Sequence, residues 1–121
     1  MTHAERAIQF LTAARAGDVV TARALCTASA IHHNQYFAAG MNVLIDAIAA
    51  DSVDKPASTF SVKRIVCDDA VVVVHAHVSH APGEPGYTVI HMFRFDGDLI
   101  AELWDVGQMI SPDMPNTDGV F

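Results

Sequence analysis

The order of helical and strand patterns along this 121-residue chain predicts an α+β fold. Apolar residues recur at helical spacing over residues 1–50, whereas alternation typical of strands follows from residue 58 onwards. Turn-forming residues separate four successive strand patterns, which predicts an antiparallel meander. Segregation of this kind places the helices against one face of a curved sheet. We therefore expect a single domain over residues 1–121, with a cavity between helices and sheet where a small ligand binds.

Three helices are predicted, over residues 3–16, 19–26 and 41–50. Thr2 and Glu5 form a capping-box pattern at the start of the first helix, which Gly17 ends. Asp18 is placed to cap the second helix. The intervening segment Ser29–Asn34 fits either a short strand or an irregular turn.

Four strands are predicted downstream, over Ser58–Cys67, Ala70–His80, Tyr87–Phe95 and Leu99–Ile110. Asp96-Gly97 is a strong hairpin signal between the last two strands. The segment Ala81–Gly86 reads APGEPG and is expected to be a loop.

Charge and composition exclude several classes of protein. Seven basic residues stand against 14 acidic ones, for a formal net charge of −7, and the basic residues are scattered. Nucleic-acid binding needs clustered positive charge, so no nucleic-acid partner is expected. No apolar run is long enough to span a bilayer, and the first residues do not resemble a secretory signal. We therefore expect no membrane partner and a cytoplasmic location, with Cys26 and Cys67 as free thiols.

Two histidines interrupt a strand that is otherwise rich in valine. His75 and His77 lie two residues apart in AVVVVHAHVSH, so they share one face of the strand. Polar rings among valines cost free energy unless each finds a partner. This face is predicted to be a pocket wall; alternatively, the two histidines are structural or lie at an exposed edge.

Two polar residues on the later strands are candidates for chemistry. Asp105 is the one charged residue on its face of the last strand, and burial is expected to raise its pKa towards the range useful in acid–base catalysis. His91 shares a face with Phe93 and is expected near His75 or His77, or as a histidine bonded within the core. The alternative for Asp105 is an ion pair with Arg94.

A metal site is a weaker alternative. An HxH pair with a further histidine and a carboxylate can bind Zn²⁺ or Fe²⁺, but the sequence has no HExxH motif and no CxxC. No cofactor and no metal are predicted. In the IHHN segment, His32 and His33 point to different sides, and Asn34 suits either a turn or the orientation of a substrate carbonyl.

Four motifs together resemble one protein family across nearly the whole chain. They are AGD at 16–18, HN at 33–34, VKRI at 62–65 and FRFDGDLIAELWDVGQ at 93–108. The last block is the most specific. The pattern is similar to the SnoaL-like polyketide-cyclase group of the nuclear transport factor 2-like superfamily, which implies a cone-shaped α+β barrel that is often dimeric.

The resemblance also implies roles for individual residues. Asp105 matches the aspartate that acts as general acid/base in the cyclases, and His33-Asn34 matches a pair that tends to line the cavity. His75 and His77 stand where related epoxide hydrolases carry an arginine and an aspartate, which speaks against that reaction. His91 replaces an aspartate common in the group, so different pocket chemistry is implied.

The sequence therefore predicts a small enzyme that performs acid–base chemistry without a cofactor on an apolar carbonyl compound, by aldol-type cyclisation or isomerisation. Asp105 is expected to move the proton, and His33 with His75 or His77 to polarise the carbonyl oxygen. Further contacts to substrate are expected from Asn34, His91, Phe37 and Phe93. The alternatives are a non-catalytic module that binds a hydrophobic ligand, and a metal-dependent enzyme. A homodimer is expected through an outer face that carries Ile100, Trp104 and Val106.

Overall fold

The computed structural model describes residues 1–121 and contains three helices and five strands. In chain order they are α1 (His3–Arg15), α2 (Val19–Ala24), β1 (Cys26–His32), α3 (Met41–Asp54), β2 (Thr59–Cys67), β3 (Val71–Ser79), β4 (Tyr87–Asp96) and β5 (Leu99–Met109). The N-terminal helices pack against a curved five-stranded sheet, so the predicted α+β fold is confirmed. None of the helices is both long and apolar enough to cross a membrane.

The predicted caps are present at the first two helices. The Thr2 hydroxyl accepts a hydrogen bond of 3.1 Å from the Glu5 backbone, and the Glu5 carboxylate accepts one of 3.3 Å from the Thr2 backbone. Asp18 accepts a hydrogen bond of 3.1 Å from the Thr21 backbone at the start of α2. Helix α2 is shorter than predicted because the chain is already extended at Cys26, where β1 begins.

The sheet has the strand order β1-β5-β4-β3-β2. Strands β2 to β5 form the predicted antiparallel meander, and Gly97 makes the β4–β5 turn with a φ of +59°. The fifth strand, β1, pairs parallel with β5 and places His32 opposite Leu103. It resolves the ambiguous segment as a strand up to His32, after which His33 and Asn34 lead into a turn at Gln35 and Tyr36.

The core lies between the helices and the inner face of the sheet. Val72, Val74 and Ala76 of β3 are completely buried on this face. Phe93 of β4 is also completely buried, and its ring meets Phe10 of α1 edge to face at 5.7 Å. Phe93 is therefore a core residue, and the expectation that it contacts substrate is wrong.

His75 and His77 lie on the outer face of the sheet, opposite to the face that lines the cavity. In the register of β3 with β4, His75 is paired with Ile90, and His77 with Thr88. The valines at even positions face the helices because they have the larger uninterrupted apolar surface to bury. The placement of the two histidines in a pocket wall is thus wrong.

Both outer histidines find partners on the surface. A ring nitrogen of His75 accepts a hydrogen bond from Arg64, and the other bonds the Thr88 hydroxyl at 2.8 Å. His77 Nε2 donates a hydrogen bond of 2.7 Å to the Pro85 carbonyl, which holds the loop before β4 against the sheet. These contacts match the structural alternative stated from the sequence.

One of the three residues predicted for the outer face of β5, Ile100, lies on the inner face instead. The register between β4 and β5 shifts after Arg94, so that Phe95 is paired with Ile100. This bulge turns Ile100 inwards, where it is completely buried. Trp104 and Val106 remain on the outer face, and Val106 is 66% exposed.

Replacing Phe93 with Ala tests its assignment to the core. The substitution leaves a cavity between α1 and the sheet, and we expect it to lower the free energy of unfolding by about 3–5 kcal/mol. Val106→Ala, on the exposed outer face, is the matched control and is expected to change stability by less than about 0.5 kcal/mol. Urea unfolding measures both, and a loss of under about 1 kcal/mol for Phe93→Ala contradicts a core position.

Candidate active site

A cavity of about 930 Å³ opens between the helices and the inner face of the sheet. Its walls come from α1, α3, the turn after β1, and strands β2 to β5. About half of its wall residues are apolar, and the polar ones include Asp105 and His91 of the sheet and Arg15 and Asp51 of the helices. The volume suits a small organic ligand, because such ligands occupy sites of about 300–1,000 Å³.

Asp105 and His91 form a hydrogen-bonded pair at one end of this cavity. They are directly opposite each other on β5 and β4, and both side chains point to the inner face. His91 Nδ1 donates to Asp105 Oδ1, and each side chain is only 12% exposed. The pair forms because neither polar group can be buried among apolar neighbours without a partner.

The turn after β1 supports the second oxygen of Asp105. Asn34 donates from Nδ2 to Asp105 Oδ2 at 3.3 Å, and its own Oδ1 accepts from the Tyr36 backbone at 3.0 Å. His32 shapes this turn: Nε2 donates to the Ala38 carbonyl at 2.7 Å, and Nδ1 accepts from the Asn34 backbone at 3.1 Å. Both nitrogens of His32 are therefore used in positioning Asn34.

Asp105 is a carboxylate in this setting. Burial raises its pKa, but the hydrogen bond and charge of His91 and the hydrogen bond of Asn34 together outweigh burial. The net result is a pKa of Asp105 below its ordinary value. The expectation that desolvation makes Asp105 more basic is wrong, since the sequence did not show that two donors reach it.

His91 retains one free ring nitrogen. With Nδ1 committed to Asp105, the remaining Nε2 has no hydrogen-bond partner in the protein. It is not among the fully buried polar atoms that lack a partner, and His91 forms part of the cavity wall. A carboxylate behind one nitrogen and an open second nitrogen is the arrangement that lets a histidine exchange protons with a ligand.

His33 is bound elsewhere. Its Nε2 lies 2.5 Å from the Glu102 carboxylate, and its ring stacks on Trp104 with centroids 5.0 Å apart. Arg94 binds the same carboxylate at 3.0 Å, and these two hydrogen bonds lower the pKa of Glu102. His33 borders the cavity, but its ring is directed to the outer face. His33 is therefore not placed beside Asp105 to polarise a substrate carbonyl, as the sequence predicted, and Arg94 is not the partner of Asp105.

The residues proposed for a metal alternative are not brought together. His75 and His77 lie on the outer face, whereas His91 and Asp105 lie on the inner face. No group of three or more His, Cys, Asp or Glu side chains has the spacing of a metal site. Burial raises the pKa of the Cys26 thiol to about 12, which keeps it protonated.

Several cavity residues were not identified from the sequence as site residues. Phe60 is one of them: it lines the cavity together with Phe37, which was identified from the sequence. The Phe60 ring lies 6.2 Å from the ring of His91. Arg15 of α1 also lines it, four residues after the buried Leu11. That spacing was the available signal, because it places an arginine on the buried face of an amphipathic helix.

Substitution of His91 tests the account of Asp105. In His91→Phe the opposing hydrogen bond and charge are lost while burial remains, so we expect the pKa of Asp105 to rise. Titration of its ¹³C-labelled carboxyl group by NMR measures the change, with His75→Phe on the outer face as control. An unchanged or lower pKa in His91→Phe contradicts the assigned cause.

The lowered pKa of Asp105 also makes the stability of the fold depend on pH. A carboxyl group with a lowered pKa in the folded state stabilises the fold above its unfolded pKa. Asp105 therefore contributes to stability at neutral pH, and this contribution is lost as the pH falls through its folded value.

Comparison with solved structures shows the same fold in several bacterial proteins. An uncharacterised cystatin-fold protein from Novosphingobium aromaticivorans has a TM-score of 0.72 at 23% identity, covering 88% of this chain and 98% of the other. IdmH, a proposed polyketide cyclase from Streptomyces antibioticus, has a TM-score of 0.71 at 17% identity, covering 89% and 93%. A proposed ketosteroid isomerase from Kribbella flavida has a TM-score of 0.72 at 11% identity, covering 94% and 83%.

At these identities the structural matches establish the fold alone. No functionally curated protein matches the chain in sequence. The family model for the SnoaL-like domain, however, matches residues 7–103, which is most of the chain. The resemblance drawn from the sequence motifs is thereby confirmed, and the chain belongs to the SnoaL-like domain family.

Proposed function

We propose that this protein is an enzyme that moves a proton at the carbon next to the carbonyl group of a small, largely apolar compound. The observation that carries the proposal is the Asp105–His91 hydrogen bond inside the cavity, which leaves His91 Nε2 open to a ligand. The proposed cyclase and isomerase among its structural neighbours support chemistry of this kind without determining it.

In this reaction the two residues have different roles. Asp105 has a lowered pKa and both oxygens already accept hydrogen bonds, which makes it a weak base. His91 has one ring nitrogen, Nε2, without a partner in the protein, and its ring forms part of the cavity wall, so this nitrogen can accept a proton from a ligand. His91 Nε2 therefore takes the α-proton to give an enolate and an imidazolium, and Asp105 fixes the tautomer and stabilises that cation. In a conjugated enolate, delivery of the proton from the imidazolium to the γ-carbon shifts the double bond and gives isomerisation. Attack of the enolate carbon on a second carbonyl group of the same molecule gives cyclisation, and the imidazolium then protonates the new alkoxide oxygen.

This assignment changes one role expected from the sequence. Asp105 becomes a positioning residue, and His91 becomes the group that contacts the reacting atoms. Asn34 supports the pair by holding the second carboxylate oxygen, 3.3 Å away. No cofactor is invoked, because proton transfer next to a carbonyl needs only a base, an acid and exclusion of water.

Hydrogen–deuterium exchange at carbon tests the proposal. The protein is incubated in D₂O with 2-acetonaphthone or 2-tetralone, and loss of the α-proton signal is followed by ¹H NMR. We expect faster exchange than in buffer alone, and a loss of about 10²–10⁴-fold in that enhancement in His91→Gln. Asp105→Asn is expected to lose a similar factor, because the imidazole tautomer is no longer fixed.

His75→Gln, on the outer face, is the matched control and should retain full exchange activity. If His91→Gln exchanges as fast as the unmodified protein, the proposed chemistry is wrong. If both ketones bind and neither exchanges, the cavity serves as a ligand-binding module, the alternative stated from the sequence.

A further inference from the structure

The end of the cavity remote from Asp105 contains a half-buried arginine with unused hydrogen-bond donors. Arg15, the last residue of α1, lines the cavity and makes one hydrogen bond, from Nη2 to the Ser58 hydroxyl at 3.2 Å. A guanidinium group has five N–H donors in a planar fork. The remaining donors of Arg15 have no partner in the protein and are not sealed away from the cavity.

The nearest carboxylate does not pair directly with Arg15. One oxygen of Asp51 binds Lys55, and the other lies 3.9 Å from His80 Nδ1. No carboxylate oxygen lies within 4.0 Å of the Arg15 guanidinium. Burial lowers the pKa of Arg15, and the charge of Asp51 only partly opposes this effect. The positive charge of Arg15 is thus incompletely compensated by the protein's own carboxylates.

One aromatic ring connects Arg15 to the proton-transfer site. The guanidinium carbon of Arg15 lies 5.3 Å from the centre of the Phe60 ring, and the His91 ring lies 6.2 Å from the same centre. Phe60 is on β2 and Asp105 is on β5, with β3 and β4 between them in the sheet. A single flat ligand lying against Phe60 can therefore reach Arg15 with one end and His91 with the other.

We propose that Arg15 binds a carboxylate group of the ligand. The substrate class is then a largely apolar carbonyl compound with a carboxylate at the end remote from Asp105, and this inference rests on the function proposed above for the same cavity. A carboxylate fits because its two oxygens match the planar fork of arginine. A doubly charged phosphate fits less well, because Asp51 and Asp54 also line this end of the cavity.

A matched pair of ligands tests this subsite. 2-Naphthoate and 2-acetonaphthone share one ring system, but only the first is an anion at neutral pH. We expect calorimetry to show that the unmodified protein binds 2-naphthoate about 10-fold or more tightly than the ketone. In Arg15→Met, which retains the length of the side chain over Phe60, 2-naphthoate is expected to lose about 10- to 100-fold in affinity while the ketone is unaffected.

Arg23→Met is the control for loss of a positive charge, because Arg23 pairs with Asp46 on the surface outside the cavity. It should change neither affinity. Ketone binding without a preference for 2-naphthoate, or equal affinity of 2-naphthoate for the unmodified protein and Arg15→Met, overturns the carboxylate site alone. Failure of both ligands to bind the unmodified protein overturns the proposed function together with this inference.

A second variant, Arg15→Lys, tests the proposal if Arg15→Met alters the whole cavity and no longer binds the ketone. The lysine retains the charge but not the planar fork, so part of the preference for 2-naphthoate should remain. An undiminished preference for 2-naphthoate in Arg15→Lys, with ketone binding intact, overturns the proposal.

Discussion

The pairing of Asp105 with His91 is the interaction on which the cavity depends. Two polar side chains face the inside of a small sheet, and each is stable there because the other satisfies it. The register of β4 with β5 places the two residues directly opposite each other at the level of the cavity. The pairing also requires the turn after β1 to bring Asn34 to the second oxygen of Asp105, so the edge strand and its turn are part of the site.

The two faces of the sheet divide structural and chemical roles. On the inner face, buried valines of β3 pack against the helices, and the cavity remains open where the neighbouring strands contribute His91 and Asp105. On the outer face, His75 and His77 are held by Arg64, Thr88 and the loop before β4. Histidines on the neighbouring strands β3 and β4 can thus have unrelated roles, because alternate residues of a strand face opposite sides of the sheet.

The sequence predicted the elements well because their signals are local. The capping box at Thr2 and the Asp96-Gly97 turn each depend on neighbouring residues, and both are present. The fold class followed from the order of these elements, and the most specific motif, residues 93–108, led to the correct family. The strand β1 was ambiguous because its partner, β5, lies about 70 residues away in the sequence.

The site was only partly predictable because it depends on cross-strand register. Asp105, Asn34, His91 and Phe37 were identified and do line the cavity. The sequence could not show that His91 meets Asp105 rather than His75, since that requires the exact alignment of β4 and β5. For the same reason the sign of the pKa shift at Asp105 was wrong: burial was visible in the pattern, but the opposing donors were not.

The protonation state of the His91 ring tests the central claim most directly. Long-range ¹H–¹⁵N correlation NMR distinguishes the two ring nitrogens, and His91→Gln identifies the signals that belong to this residue. We predict that Nδ1 keeps its proton, held by Asp105, while Nε2 is the nitrogen that loses its proton when the ring becomes neutral. A neutral ring with the proton on Nε2 and none on Nδ1 contradicts it, because Nδ1 then has no proton to donate to Asp105.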